Sequence, residues 1–184
     1  MKHLGRPIVH SLIAVTATFS SLSCLAEPDL VIIVRHAERA PEPAADPILS
    51  EDGERRAASL ARALASANIT SVFATQYERT RATAAPTAKA ANIEPTIIQT
   101  RRGDISGHAR EVADAVRKKS GNVLVVGHSD TVSLILASLG GPSLPKLCET
   151  SFQHVYVLRP ANPKPTFVQL TYGEPSPKPT EGCQ

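Results

Sequence analysis

The chain has 184 residues, a length that favours one domain, and a composition of 42% hydrophobic and 20% charged residues that argues against wholesale disorder. Its formal net charge is only +3, so charge gives no support for a nucleic-acid partner. Aromatic residues make up 4% and tryptophan is absent, so the core must be built mainly from aliphatic side chains.

Residues 1–26 have the pattern of a secretory signal peptide. Lys2 and Arg6 form a positive amino-terminal region, and the stretch over 8–25 is apolar or small. Small residues precede a predicted cleavage position after Ala26. We therefore expect a periplasmic or secreted protein with no membrane span after processing.

Two alternatives remain for the amino terminus. The apolar stretch could stay attached as a membrane anchor, although it is short and interrupted by serine and threonine. Cys24 could instead be the acylated residue of a lipoprotein, although residues 21–23 match that signal poorly.

After this segment, runs of β-branched residues alternate with segments whose apolar residues recur at helical spacing. Ser50 is a predicted helix N-cap, because acidic residues follow it in the first turn. The loop predicted over 100–107 is polar and contains glycine. The pattern predicts strands over 29–34, 71–75, 95–99, 122–126, 152–158 and 166–171, and helices after Ser50, over 79–91, around 109–116 and around 132–139.

Strands that alternate with helices imply right-handed βαβ units. The predicted fold is therefore α/β, a three-layer α/β/α sandwich with a mostly parallel central sheet. We find no internal repeat, and we expect one domain over 27–173 followed by a proline-rich tail over 174–184.

Two cysteines, Cys148 and Cys183, follow the predicted signal peptide. An oxidising compartment permits a disulfide between them, which would pin the tail to the domain. Because a sequence gives no distance, two free thiols remain the alternative.

Basic and titratable side chains follow three of the predicted parallel strands. Arg35 and His36 come directly after the first strand, Arg79 follows the second, and His128 follows the fourth. Ligands of open α/β sheets bind beyond the carboxyl ends of the strands. Each residue alone is weak evidence, but together they predict an anion site, most naturally for phosphate.

Four motifs then resemble those of a known family. Residues 35–38, Arg-His-Ala-Glu, are similar to the Arg-His-Gly-Glu signature of the histidine phosphatase superfamily, which has the phosphoglycerate mutase-like fold. Residues 49–53, 75–84 and 125–129 resemble its Leu-Ser-x-x-Gly, second arginine and second histidine motifs. The likeness spans about 29–140, and the absence of long capping insertions favours a small phosphatase over a mutase.

The resemblance implies that His36 is the nucleophile and forms a phosphohistidine. It implies that Arg35 and Arg79 hold the phosphoryl oxygens, and that His128 stabilises the charge of the transition state. No metal and no cofactor are expected.

In this superfamily a carboxylate protonates the leaving group, and its position varies. Asp104, in the loop after the third strand, is our first candidate for this general acid. Asp130 and Glu38 are the others, although Glu38 fits a structural role better. A substrate with a good leaving group, such as a phosphoramidate, needs no strong acid.

Four other arginines each have two interpretations. Arg39, Arg81, Arg101 and Arg102 either widen the basic mouth of the site or are solvated surface charges. His108 and His154 match no motif and are interpreted as structural, so they stand apart from the predicted site.

The sequence therefore predicts an exported, metal-independent phosphatase acting on a small phosphorylated substrate. One alternative is a non-catalytic phosphoryl-binding module. A metal site using His36 and His128 is another, although no ligand spacing supports it and nearby arginines would repel a cation. The oligomeric state cannot be read from the sequence.

Overall fold

In the part of the chain that the structure describes, four helices alternate with the first five of six strands. The computed structural model describes residues 27–161, 164–177 and 183–184, so the predicted signal peptide over 1–26 lies outside the described residues. In this described part no helix is both long enough and apolar enough to cross a membrane. The elements are β1 (Pro28–Arg35), α1 (Glu51–Ala63), β2 (Ile69–Ala74), α2 (Glu78–Ala91), β3 (Thr96–Ile97), α3 (Ile105–Arg117), β4 (Gly121–Gly127), α4 (Val132–Ser138), β5 (His154–Arg159) and β6 (Thr166–Thr171).

The six strands of the described part form one sheet in the order β3-β2-β4-β1-β5-β6; β5 pairs antiparallel with β1 and with β6, and the other pairs are parallel. Helices α1 and α2 cover one face, where Leu60 and Ala88 share a buried cluster. Helices α3 and α4 cover the other face, where Val112 and Ile135 share a second cluster. The predicted three-layer α/β/α sandwich with a mostly parallel sheet is confirmed.

The β-branched run of β1 suits a strand whose two faces are both buried. Val31 and Ile33 belong to the cluster beneath α3 and α4, whereas Ile32 and Val34 belong to the cluster beneath α1 and α2. This alternation is the two-residue period of a strand. The uninterrupted apolar run therefore identified a central strand.

The ends of β1 and β4 coincide. Arg35 pairs with Gly127 in the parallel register, and the amide of His36 donates to the Gly127 carbonyl at 2.9 Å. The residues that follow these two strands therefore meet at one edge of the sheet, as expected for a parallel pair.

The structure differs from the sequence pattern around α3. The segment over 100–107 was predicted as a loop, but the helix begins at Ile105. The side chain of Asp104 caps it by accepting a hydrogen bond from the Gly107 amide at 2.8 Å. A polar, glycine-containing first turn has no apolar periodicity, so the sequence pattern does not show where the helix begins. The cap depends on side-chain geometry, which the pattern does not contain. The edge strand β3 is also shorter than the predicted run over 95–99, and it pairs with β2 alone.

Cys148 and Cys183 form a disulfide, which joins the end of the chain to the segment after α4. The amide of Cys148 donates to the carbonyl of Gln184 at 2.8 Å, and the amide of Gln184 donates to the carbonyl of Lys146 at 3.2 Å. The last residues of the predicted tail are therefore held against the domain. Residues 178–182 lie outside the described part.

Arg56 of α1 joins the helix to the segment after β1 and to the end of the sheet. Its buried guanidinium donates to both carboxylate oxygens of Glu38 at 2.8 and 2.9 Å. It also donates to the carbonyls of Tyr172 at 3.0 Å and Glu174 at 2.8 Å. A side chain at Gly53 would overlap the Glu38 carbonyl, so glycine is required where α1 approaches this segment.

We expect Arg56→Ala to lower the free energy of unfolding by about 3–5 kcal/mol, because it leaves the Glu38 carboxylate without its buried partner. Arg55→Ala is the matched control: Arg55 is exposed and pairs with Asp52 on the surface. It should cost less than about 1 kcal/mol. Urea denaturation followed by circular dichroism measures both values, and equal losses would contradict the assignment.

Candidate active site

A cavity of about 340 Å³ opens beyond the carboxyl ends of β1, β2 and β4. The four residues that the sequence predicts to converge all line it. Its lining includes Arg35, His36, Arg39, Tyr77, Arg79, Arg101, Arg102, His108, His128, Ser129, Asp130 and Glu149.

The geometry of His36 fixes its protonation state. The Nδ1 atom lies 2.8 Å from the carbonyl oxygen of Ala37, so it is the protonated nitrogen. Burial lowers the pKa of His36 to about 2, and the charge of Arg35 acts in the same direction. The ring is therefore neutral at physiological pH, with its lone pair on Nε2.

The segment after His36 is fixed by α2. The amide of Ala37 donates to the hydroxyl of Thr83 at 2.9 Å, and that hydroxyl donates to the carbonyl of Arg79 at 2.7 Å. The methyl group of Ala37 is fully buried beside Leu49. Alanine is therefore accommodated where the family signature has glycine.

His128 faces His36, with the two ring centroids 5.4 Å apart and the rings nearly edge-on. A guanidinium nitrogen of Arg79 lies 3.5 Å from its Nδ1, so that nitrogen is the acceptor. Its Nε2 lies 3.0 Å from the Thr75 hydroxyl, which itself contacts the hydroxyl of Thr80 at 2.9 Å. The proton of the neutral ring is therefore on Nε2.

Burial lowers the pKa of His128 to about 3, and the charge of Arg79 acts in the same direction. A neutral His128 has already given its one N–H to Thr75. It donates to a phosphoryl oxygen only after gaining a proton at Nδ1, which a nearby dianion favours.

Arg35 is held by a short segment after α4. One terminal nitrogen donates to the carbonyls of Cys148 at 2.7 Å and Ser151 at 3.1 Å. The other donates to Glu149 at 3.0 Å, and the ring of Phe152 lies 4.1 Å from the guanidinium carbon. Burial lowers the pKa of Arg35 to about 10, which leaves it charged at neutral pH.

Arg79 is positioned by stacking on the Tyr77 ring and by an ion pair with Asp46. Its guanidinium lies 4.3 Å from the centroid of the Tyr77 ring, and Asp46 lies 3.8 Å from one terminal nitrogen. Within the described residues, the buried Nε atoms of Arg79 and Arg35 have no hydrogen-bond partner. A bound anion would supply the missing acceptors.

The carboxylates of the site differ from the sequence expectation. Asp104, the first candidate for the general acid, is the cap of α3, and it lines a neighbouring pocket instead of this cavity. Glu38 is paired with Arg56, which agrees with its expected structural role. Asp130 and Glu149 do line the cavity. The Ser129 hydroxyl and Arg35 outweigh burial and lower the pKa of Glu149, so this carboxyl rests ionised.

The other basic residues divide into two groups. Arg39, Arg101 and Arg102 line the cavity, whereas Arg81 pairs with Glu78 on the surface of α2. His108, interpreted from sequence as structural, is buried and also lines the cavity.

Sequence reasoning missed several residues of the site. Glu149 and Phe152 lie in an irregular segment that matches no motif, so nothing in the sequence connects them to Arg35. Tyr77 and Thr75 lie within the second arginine motif, but their contacts with Arg79 and His128 depend on the fold. A polar or aromatic residue directly after a buried strand was the only available signal.

The buried neutral histidines predict acid sensitivity of the fold. The unfolded chain binds protons at His36 and His128 below about pH 6.5, whereas the folded state does not. The free energy of unfolding should therefore fall by about 2–4 kcal/mol between about pH 7 and pH 5. Burial also lowers the pKa of His108 and of His154, so both residues add to the decrease in the free energy of unfolding as the pH falls.

Urea denaturation across this pH range measures the effect. His128→Asn should show a smaller dependence on pH than the unchanged chain. A free energy of unfolding that stays constant would contradict the neutral state of these rings.

The sequence profile of the histidine phosphatase superfamily (branch 1) matches residues 31–107. No curated protein matches the chain. Within the described residues, no group of three or more His, Cys, Asp and Glu side chains is placed to hold a metal ion.

Solved structures share the fold. The protein histidine phosphatase SixA complexed with tungstate is 18% identical, with a TM-score of 0.60 over 77% of this chain and 96% of that chain. YhfR of Bacillus stearothermophilus is 15% identical, with a TM-score of 0.57 over 74% and 94%. A mycobacterial glucosyl-3-phosphoglycerate phosphatase complexed with VO3 is 12% identical, with a TM-score of 0.57 over 78% and 98%.

At these identities the solved structures establish the fold, and the profile match adds the sequence motifs around His36 and Arg79. Over residues 31–107 the chain is therefore similar to the histidine phosphatase superfamily (branch 1), and its fold is that of the solved phosphatase structures.

Proposed function

We propose that the chain is an exported, metal-independent phosphatase that hydrolyses phosphate monoesters or phosphoramidates through a phosphohistidine on His36. The observation that carries this proposal is the neutral His36 ring, whose Nδ1–H is held by the Ala37 carbonyl. The lone pair of Nε2 is therefore available in a cavity lined by Arg35 and Arg79.

In the first step, Nε2 of His36 attacks phosphorus, and the P–O or P–N bond to the leaving group breaks. The leaving group takes up a proton from solvent as it departs. In the second step, water attacks phosphorus and the P–N bond to His36 breaks. A proton of the water returns to solvent, phosphate is released, and His36 is again neutral. The arginine charges stabilise the equatorial oxygens in both steps, because they are fixed before the reaction starts.

The general acid assigned to Asp104 stays a prediction, and its capping role places it outside the cavity lining. Glu149 rests ionised beside Arg35 and is a poor proton donor. This arrangement favours substrates with a good leaving group, such as aryl phosphates and phosphoramidates. The SixA neighbour is a protein histidine phosphatase, which agrees with this substrate class.

The direct test is a hydrolysis panel with the mature chain, covering an aryl phosphate, a phosphoramidate and an alkyl phosphate. We expect turnover that decreases in this order and does not change after treatment with EDTA. Loss of activity on chelation, restored by zinc, would support the alternative metal site at His36 and His128.

The second candidate is a non-catalytic phosphoryl-binding module. The engagement of Asp104 at the start of α3 favours it, because the cavity then lacks the first candidate for the general acid. In that case vanadate would raise the melting temperature, but no ester or phosphoramidate would be hydrolysed.

Export rests on the pattern of residues 1–26 and is supported by the disulfide between Cys148 and Cys183, since disulfides persist in oxidising compartments. Cell fractionation followed by intact mass measurement tests it. We expect a mature chain beginning at Glu27. A lipid-modified Cys24 or an uncleaved chain would identify one of the two alternatives.

A further inference from the structure

Three arginines at the mouth of the cavity have no acidic partner. Arg39, Arg101 and Arg102 are exposed, line the cavity and form no ion pair with any residue that the structure describes. The charge of Arg39 acts inside the site, because it lowers the pKa of both Arg35 and Arg79.

The phosphoryl group itself does not need these three arginines. Arg35 and Arg79 are fixed by their own partners, and each has a buried Nε–H that lacks an acceptor among the described residues. These two, together with His128, already surround His36. The outer arginines therefore supply positive charge beyond what one phosphoryl group requires.

His108 adds a buried donor to the same region. Its side chain is 3% exposed, and neither ring nitrogen has a hydrogen-bond partner in the described part of the chain. The Gln99 backbone raises the pKa of His108 against the larger effect of burial, but it lies outside hydrogen-bond geometry. It could engage only one of the two ring nitrogens. At least one buried ring nitrogen therefore lacks a hydrogen-bond partner in the described part, and a ligand bound against the ring would supply one.

We infer that Arg101, Arg102 and His108 form a second anion subsite, which selects phosphorylated substrates that carry a second phosphate group. Arg39 lies at the same cavity and adds its charge to both subsites. This inference rests on the proposed phosphatase function and specifies its substrate class. Arginine suits the role because its planar fork binds phosphate oxygens in pairs.

The acids near this subsite do not cancel it. Of the acids whose charge raises the pKa of His108, Asp130 lines the cavity, whereas Glu111 and Asp104 line the neighbouring pocket. Glu149 is already paired with Arg35. Five arginines therefore face two carboxylates across one cavity.

The experiment compares phenyl phosphate with 1,3-phenylene bisphosphate, which share the same kind of leaving group. We expect kcat/KM to be at least about tenfold higher for the bisphosphate, after correction for its two equivalent phosphates. In the double variant Arg101→Ala/Arg102→Ala, this ratio should fall below about two. His108→Asn should lower the ratio as well.

Arg81→Ala is the matched control, because it removes one arginine from α2 outside the cavity. Its ratio should equal that of the unchanged chain. The ratio between two substrates is insensitive to a general loss of folded protein, so a structural effect of the double variant would not imitate the result.

Equal values of kcat/KM for the two compounds would overturn the inference. If neither compound is hydrolysed, the proposed function fails. Calorimetry with His36→Ala then measures the dissociation constants of both compounds and tests the subsite separately. Tighter binding of the bisphosphate by about tenfold would support it, and equal dissociation constants would end it.

Discussion

His36→Ala should abolish turnover of every phosphorylated substrate, with a loss of about 10⁴-fold or more in kcat, as expected when a nucleophile is removed. The loss should leave the fold intact, because the ring makes one hydrogen bond, to the carbonyl of the adjacent Ala37. Steady-state kinetics with an aryl phosphate measures it, and circular dichroism verifies the fold.

The matched control is His154→Ala. His154 begins β5, contacts the side chain of Gln169, and does not line the cavity. Its removal should change kcat less than about twofold, as for most substitutions away from a site. Rapid acid-free quenching should also trap a phosphoryl group on the unchanged chain that is stable in alkali. Full turnover by His36→Ala would refute the phosphohistidine mechanism.

Arg79→Ala should lower kcat/KM by about 10²–10³-fold, because it removes a fixed charge from the phosphoryl oxygens in the transition state. It should also alter the partner of His128, whose Nδ1 accepts from this guanidinium. Without the Arg79 charge the pKa of His128 rises and its proton uptake becomes easier, so the alkaline side of the pH profile of the remaining activity should shift toward higher pH. A pH profile of kcat/KM measures both effects.

Arg81→Ala is the control for this variant, since it lies two residues away on the same helix and pairs with Glu78 on the surface. We expect kcat/KM within about twofold of the unchanged chain. If both variants lose activity equally, the effect of Arg79 is general electrostatics and not contact with the phosphoryl group.

The disulfide has a role beyond the tail. It fixes Cys148, whose carbonyl accepts a hydrogen bond from Arg35, and the adjacent Glu149 pairs with the same guanidinium. The segment that holds the first arginine is thus connected covalently to the end of the chain. A chain position that carries no family motif therefore contributes to the shape of the anion site.

The central strands could be predicted because the burial of both their faces is visible in a short run of neighbouring residues. The unbroken apolar run over 29–34 reads as a strand covered on both faces, and the run over 122–126 reads in the same way. Parallel pairing then requires their carboxyl ends to meet. This requirement placed His36 and His128 at one edge of the sheet, where the structure has them 5.4 Å apart between ring centroids.

The start of α3 was less predictable, since it depends on a side-chain contact. Asp104 could either point into the site or cap the helix, and both uses suit a carboxylate in a polar loop. The hydrogen bond to the Gly107 amide shows that the capping role is the one adopted.

By itself, the sequence determined the layered α/β fold and the edge of the sheet at which His36, Arg79 and His128 come together. Periodicity and strand-end position carry that information because they follow from backbone geometry. Only the tertiary structure decided that Glu149 holds Arg35, that His108 faces the cavity, and that Asp104 caps α3. These contacts join residues from irregular segments, where no repeating pattern links side-chain direction to position in the chain.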